Sequence, residues 1–175
     1  MRNWRGPLIL GAVVALAVGW ALVALIPFAL MNVAIGRLAA QGGMNTMYHG
    51  ALATPERQPV VRPSPDLAYS SCPYDLSGGP LLISVFPVPG RYSSLSVFDA
   101  RTDVVFVRND QQASERPYRL AVAREGQKVP PGIETIRVGY DRGIALIRLL
   151  LADKAELGRL AGQRKRSNCR SLGRS

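Results

Sequence analysis

Leu81-Leu82-Ile83-Ser84-Val85-Phe86-Pro87-Val88-Pro89-Gly90-Arg91-Tyr92-Ser93-Ser94-Leu95-Ser96-Val97-Phe98 is the stretch that decides the class of the fold. Its two ends are short runs rich in β-branched and aromatic side chains, which suit a pleated surface. Its middle, Pro87-Val88-Pro89-Gly90, is turn chemistry: proline holds φ and withholds a backbone donor, and glycine frees the backbone to reverse. Strand, turn, strand is the reading.

The same grammar continues downstream. Val104 to Val107, Tyr118 to Ala123 and Ile133 to Val138 are further strand-like runs. They are separated by Asp99 to Asp103, Asn109-Asp110 and Pro130-Pro131-Gly132, and the first run is preceded by Ser77-Gly78-Gly79-Pro80. Strands recurring about every dozen residues with no helix between them predict a mainly β domain, an antiparallel sandwich or barrel. The period then changes. After Tyr140-Asp141-Arg142-Gly143, the residues Ile144, Ile147, Leu150, Leu151, Leu157 and Leu160 approximate helical spacing. With Asp141 as a candidate cap, one C-terminal helix over about 142–161 is expected, packed on the sheet. Six cations and no acid follow Glu156, so residues 164–175 read as a solvated basic tail.

Upstream lies a Gly-, Met-, Thr- and Pro-containing segment, Gln41 to Pro65, which reads as an extended lead-in. Before it, Pro7 to Ile35 is a run of 29 residues without an ionisable side chain. About 20 apolar residues suffice to cross a bilayer, and a cleaved signal's apolar stretch is typically about 7–15, so this run reads as an uncleaved transmembrane anchor. Arg2 and Arg5 crowd its N-terminal side, whereas the 20 residues after Ile35 hold only Arg37. The positive-inside rule then puts the N-terminus in the cytoplasm and the residues beyond about 37 outside. Gly11 and Gly19 lie eight apart and would permit a partner helix to approach. The expected organisation is 1–36 cytoplasmic N-terminus and anchor, 37–63 lead-in, 64–163 β domain with its C-terminal helix, and 164–175 tail.

Charge and cysteines narrow the partners. The chain of 175 residues has a formal net charge of +10, and setting aside Arg2 and Arg5 leaves +8 on the outer part, which holds all 12 carboxylates. Outside the cytoplasm such a balance points to anionic headgroups or acidic envelope polymers and not to nucleic acid. Two cysteines, Cys72 and Cys169, suffice for one disulfide in an oxidising compartment, but the sequence alone does not bring them together. With one histidine and no Cys-x-x-Cys, no metal or cofactor is expected.

No Gly-x-Ser-x-Gly and no phosphate loop occur. His49, Asp66 and Asp75 are the candidate acids and bases, each with an ordinary structural alternative in turns and caps. Tyr69, Arg91 and Asp99 are candidate binding residues. Arg91 follows Gly90, and its forked guanidinium is expected to pair with Asp75 or Asp99, the alternative being an exposed anion site.

These residues fall in a familiar order. Ser64-Pro65-Asp66-Leu67-Ala68-Tyr69-Ser70-Ser71, Tyr74-Asp75-Leu76-Ser77-Gly78-Gly79-Pro80, Pro87-Val88-Pro89-Gly90-Arg91-Tyr92 and Val97-Phe98-Asp99-Ala100 resemble the signature of domain-of-unknown-function family 1254. The resemblance extends over about 45–163, with Asn45-Thr46-Met47-Tyr48-His49 at its start. The family's Asn-x-Asp-Thr-x-Tyr stands here as Ser64, Asp66, Leu67 and Tyr69, so its Asn and Thr are replaced. The resemblance implies a mostly β domain that longer relatives join to a second domain, numbered 1214. This chain resembles the short, membrane-anchored half of such a pair, and the family carries no activity to transfer. The expectation is a single-pass inner-membrane protein whose periplasmic domain acts as an interaction or assembly module. Its partner would be another single-pass envelope protein bearing the companion domain. The alternative is an envelope enzyme acting on a glycan or lipid-linked substrate, and a third reading is a ligand-binding protein that the anchor merely retains.

Overall fold

The computed structural model describes residues 4–52 and 63–173. Arg2, the central part of the expected lead-in and Arg174 of the expected tail lie outside the described residues. Helix α1 runs from Arg5 to Gly42. Among the described residues nine strands follow: β1 Tyr48–His49, β2 Leu67–Asp75, β3 Leu81–Val85, β4 Ser93–Phe98, β5 Val104–Asn109, β6 Tyr118–Arg124, β7 Glu134–Val138, β8 Arg142–Leu150 and β9 Asn168–Ser171. Two four-residue helices, α2 Glu156–Arg159 and α3 Ala161–Arg164, stand between β8 and β9.

The strands form two sheets. The first has the order β1-β2-β8-β4-β5 and is antiparallel throughout. The second, β7-β6-β3-β9, is antiparallel except at β6–β7, which pair in parallel. Alternate residues turn inward from each sheet. Cys72, Tyr74 and Ile147 of the first meet Ile83, Leu120 and Val122 of the second in the main core. The mainly β expectation holds, and the runs around Pro87–Gly90 are β3 and β4.

The segment 142–161 differs from its expectation as one helix. Its first nine residues are β8, which pairs with β2 on one side and β4 on the other. Ala145 and Ile147 enter the core between the sheets, while Ile144 is buried on the opposite face beneath α1. A strand covered on both faces needs no alternation, so its apolar run imitates helical spacing. Only the residues after Leu151 turn helical, in two short pieces. The basic tail is likewise partly structured, since Asn168–Ser171 adds β9 to the second sheet. Cys169 in β9 is disulfide-bonded to Cys72 in β2, with Cα atoms 6.6 Å apart across a separation of 97 residues.

Helix α1 is 38 residues long, contains an 18-residue window of mean hydropathy 2.7, and buries none of that window in the protein. Its length and composition would let it cross a membrane. It does not stop at residue 36. Met31, Ile35 and Leu38, spaced by four and three along one face, pack with Ile144 and Phe98 of the first sheet. The Phe28 ring meets Tyr140 edge-on at 5.3 Å between centroids. The helix stops at Gly43, whose φ of +86° favours glycine and whose N–H donates to Ala39 O. Asn45 then fastens the chain to β2: its Nδ2 donates to Asp75 O at 3.0 Å, and its Oδ1 accepts from Asp75 N at 2.9 Å.

One glycine is dictated by close packing. Tyr74 stands opposite Gly143 in the β2–β8 register, and its hydroxyl donates to Phe98 O at 2.9 Å. A Cβ on Gly143 would overlap both that hydroxyl and the Phe98 carbonyl. Gly143→Ala should therefore lower the unfolding free energy by about 1–3 kcal/mol or more, as overpacking does. Urea denaturation followed through the β-sheet signal would show it, and wild-type stability would refute the packing argument. Replacing Cys72 and Cys169 together by Ala should cost about 4–5 kcal/mol on the chain-entropy account of so long a loop. An unchanged denaturation midpoint under reducing and oxidising conditions would refute that.

Candidate functional site

The residues singled out in the sequence serve separate parts of the fold. Asp75 ends β2 and accepts from Arg142 Nε at 2.8 Å and from Ser77 N at 2.9 Å. Burial pushes its carboxyl up, but the hydrogen bonds from Ser77 and Arg142 outweigh this and hold it below the usual range. Asp99 organises the β4–β5 turn, its Oδ1 accepting from Arg101 N at 2.8 Å and Asp103 N at 3.1 Å. Asp66 is exposed at the start of β2, where its carbonyl accepts from Leu151 N at 3.0 Å. The Tyr69 hydroxyl accepts from Ser64 N at 2.9 Å.

Arg91 pairs with neither expected aspartate. Its Nη2 lies 2.8 Å and its Nε 3.0 Å from Glu156 Oε1, while Glu156 Oε2 accepts from Ala152 N at 2.6 Å. Asp99 is committed to its own turn and Asp75 to Arg142, which leaves the carboxylate at the start of α2 to meet the β3–β4 loop. The Ala152 hydrogen bond, followed by those of Arg91, holds Glu156 below the usual carboxylate range.

His49 and Tyr69 do come together, around a residue that sequence reasoning placed in the tail. Arg164, the last residue of α3, is only 8% exposed. Its Nη2 donates to Tyr69 O at 3.0 Å, Gly50 O at 3.2 Å and Ser70 Oγ at 3.4 Å. The Ser70 hydroxyl also shares a hydrogen bond of 2.9 Å with His49 Nδ1. Three strand-edge carbonyl and hydroxyl oxygens thus hold the guanidinium, and no carboxylate pairs with it among the described residues. Burial lowers its affinity for the proton. Its Nε is enclosed without a partner, and the side chain borders a cavity of about 20 Å³ between Phe86, Val88, Ser93, Leu149 and Ser167. That is room for one water.

Chemically this knot clamps the C-terminal segment to β1 and β2. Ser167 Oγ accepts from Phe86 N at 3.0 Å, and the Arg166 guanidinium lies 4.7 Å from the Phe86 ring centroid. A serine–histidine hydrogen bond is the contact a nucleophile would need, yet Ser70 is 4% exposed and does not border that cavity. No group of three or more His, Cys, Asp or Glu among the described residues could hold a metal ion. Arg164 and Glu156 were legible only as members of a charged run; nothing in their spacing marks them as buried.

A second clamp closes the other side of the sandwich. Arg108 on β5 grips Glu134 on β7 with both terminal guanidinium nitrogens, Nη1 to Oε2 at 2.8 Å and Nη2 to Oε1 at 2.7 Å, and lies 5.1 Å from the ring centroids of both Phe106 and Tyr118. Burial, opposed by the Arg108 charge, pushes the Tyr118 hydroxyl up to about 12.

A family model described as "Protein of unknown function (DUF1254)" matches residues 44–170. No curated protein matches. Among solved structures, the VPA0106 protein from Vibrio parahaemolyticus is similar at 19% identity and a TM-score of 0.56, over 62% of this chain and 28% of that one. A putative uncharacterised protein from Burkholderia cenocepacia shares 15% identity at a TM-score of 0.46, over 63% of this chain and 32% of that one. The chain thus spans about a third or less of the length of either.

The His49 site sets an expected pH dependence. Burial first, then the charges of Arg164 and Lys165, lower the His49 pKa from its ordinary 6.5, against a hydrogen bond to the Ser167 backbone that raises it. The unfolded chain then takes up the proton before the folded one does, so stability is full above about pH 6.5 and falls as the pH drops below it. Denaturation midpoints should decrease between pH 7.5 and 5.5, and His49→Gln should remove that step. An identical pH profile in the variant would exclude His49 as its origin.

Proposed function

The chain belongs to the DUF1254 family, and from that premise we propose that it is a membrane-anchored interaction module of the bacterial envelope, with its N-terminus cytoplasmic and its β domain in the periplasm. The observation that carries this reading is the passage of α1 from an exposed apolar span directly into the body of the domain, through Met31, Ile35 and Leu38. Such a helix presents the domain at a fixed attitude to whatever shares its membrane, which raises the effective concentration of a co-anchored partner. Arg2 and Arg5 beside the span support the inward N-terminus, and the Cys72–Cys169 bridge suits an oxidising compartment.

The proposed partner is another single-pass envelope protein carrying the companion 1214 domain. The greater length of the similar Vibrio parahaemolyticus chain, 28% of which this chain covers, supports a domain of this type working beside further structure. The glycan-enzyme reading needs His49, Asp66 and Asp75 to face one cleft; their separate hydrogen-bonding duties favour the module.

A C-terminal alkaline phosphatase fusion should be active and a C-terminal green fluorescent fusion dark; the reverse would overturn the orientation. Mild-detergent purification of the tagged full chain should recover a stoichiometric single-pass membrane protein. Recovery of the chain alone, without self-association, would overturn the module.

A further inference from the structure

The anchor and the domain share one helix, and that helix has no slack. Its inner limit is Arg5, and at its outer end Phe28 already touches Tyr140 and Met31 is buried in the domain. From Arg5 to Phe28 the rise is about 34 Å at 1.5 Å per residue. The hydrocarbon core takes about 30 Å of this. If the apolar span crosses the membrane, the domain cannot stand clear of it.

The course of α1 also says which side of the domain is lowest. The helix first meets Tyr140, in the turn between β7 and β8, then Phe98 and Ile144, and ends with Gly42 against Tyr48 on β1. In the sheet order β1-β2-β8-β4-β5 it therefore climbs toward the β1 edge. The opposite edge, β5, lies on the side where the helix leaves the bilayer. That edge is unpaired in its sheet and exposes Val104 at 53% and Val107 at 54%. Arg101, exposed in the preceding turn with its Nε 3.9 Å from Asp103 Oδ2, adds a long cationic side chain beside them. An edge strand with exposed β-branched residues invites pairing unless something covers it.

We infer that the β5 edge of the domain is seated in the headgroup layer of the bilayer that holds its own anchor, with Val104 and Val107 at the interface and Arg101 among the phosphates. The headgroup region takes up small apolar side chains and offers phosphate oxygens to arginine and to unpaired backbone N–H groups. The Arg108–Glu134 clamp holds β5 against β7, so the edge meets the membrane as a rigid rail and not as a loose strand. This seating rests on the anchor reading above, and its test separates the two.

The full chain, reconstituted in phosphatidylcholine–phosphatidylglycerol nanodiscs, is labelled with a nitroxide at one introduced cysteine at a time: Leu16→Cys in the span, Val104→Cys or Val107→Cys on the edge, and Lys165→Cys beside β1. Both native cysteines are bonded to each other, which leaves the new thiol selective. The ratio of oxygen to nickel-chelate accessibility should be highest at Leu16, intermediate at both valine positions, and lowest at Lys165. Valine labels as water-accessible as the Lys165 label, with Leu16 in the bilayer, would overturn the seating and leave the anchor standing. A water-accessible Leu16 label would overturn both. Strong spin–spin broadening at Val107 would show two copies paired through their β5 edges, and would equally overturn the seating on lipid.

Discussion

Strand β8 must be covered on both faces and paired on both edges, and the rest of the molecule is arranged around that demand. Its edges are taken by β2 and β4, and its inner face by the second sheet. Its outer face would expose Ile144 were it not for α1. Burying a large aliphatic side chain is worth about 1.5–3 kcal/mol, so the helix is an integral layer of the domain as well as an apolar span. The same strand explains Gly143, which must lack a side chain because the Tyr74 ring occupies that space on its way to the Phe98 carbonyl.

The C-terminal segment is held by means that differ in kind and reinforce one another. The disulfide joins β9 to β2 covalently, and β9 hydrogen-bonds along β3. Arg164, four residues before β9, brings a positive charge into an enclosed site where neutral oxygens hold its Nη2 and its Nε has no partner. Desolvating a charge is costly, and hydrogen bonds to neutral acceptors only partly offset the loss of water. The bridge, by restricting the unfolded chain, supplies stability against which such a cost can stand. Burial first, and then the charges of Arg164 and Lys165, hold the His49 pKa below its ordinary value.

What could be read in the sequence follows from how local each signal is. The strand–turn–strand stretch of β3 and β4 was legible because Pro87-Val88-Pro89-Gly90 and the runs beside it carry their own turn and strand chemistry, whereas the assignment of the two strands to different sheets was not. The apolar span was legible from length alone. β8 was not, because Ile144, Ile147 and Leu150 have helical spacing only by virtue of being apolar on both sides, and the cover from α1 comes from more than a hundred residues upstream. Arg91 illustrates the same limit in a charge: the partner it finds, Glu156, is 65 residues away, while nearer aspartates are already engaged. Arg164 and Cys169 sit in a basic run that looks like solvent-facing tail, and only the tertiary fold draws them inward.

The two clamps act at opposite edges of the first sheet, the Arg164 knot at β1 and β2 and the Arg108–Glu134 pair at β5. On the first, the Arg164 knot and the disulfide leave β1 and β9 tied to the core. On the second, Arg108 and Glu134 tie β5 to β7, but the pair is partly exposed, with side-chain accessibilities of 22% and 49%, so it orders the edge more than it stabilises it. Ordering is what an edge strand needs. Paired with β4 on one edge only, β5 is further held by the aromatic rings of Phe106 and Tyr118 against the Arg108 guanidinium and by the grip on β7. β7 leads directly into Tyr140, where Phe28 makes contact, so α1 and the Arg108–Glu134 clamp are linked through one strand of the second sheet.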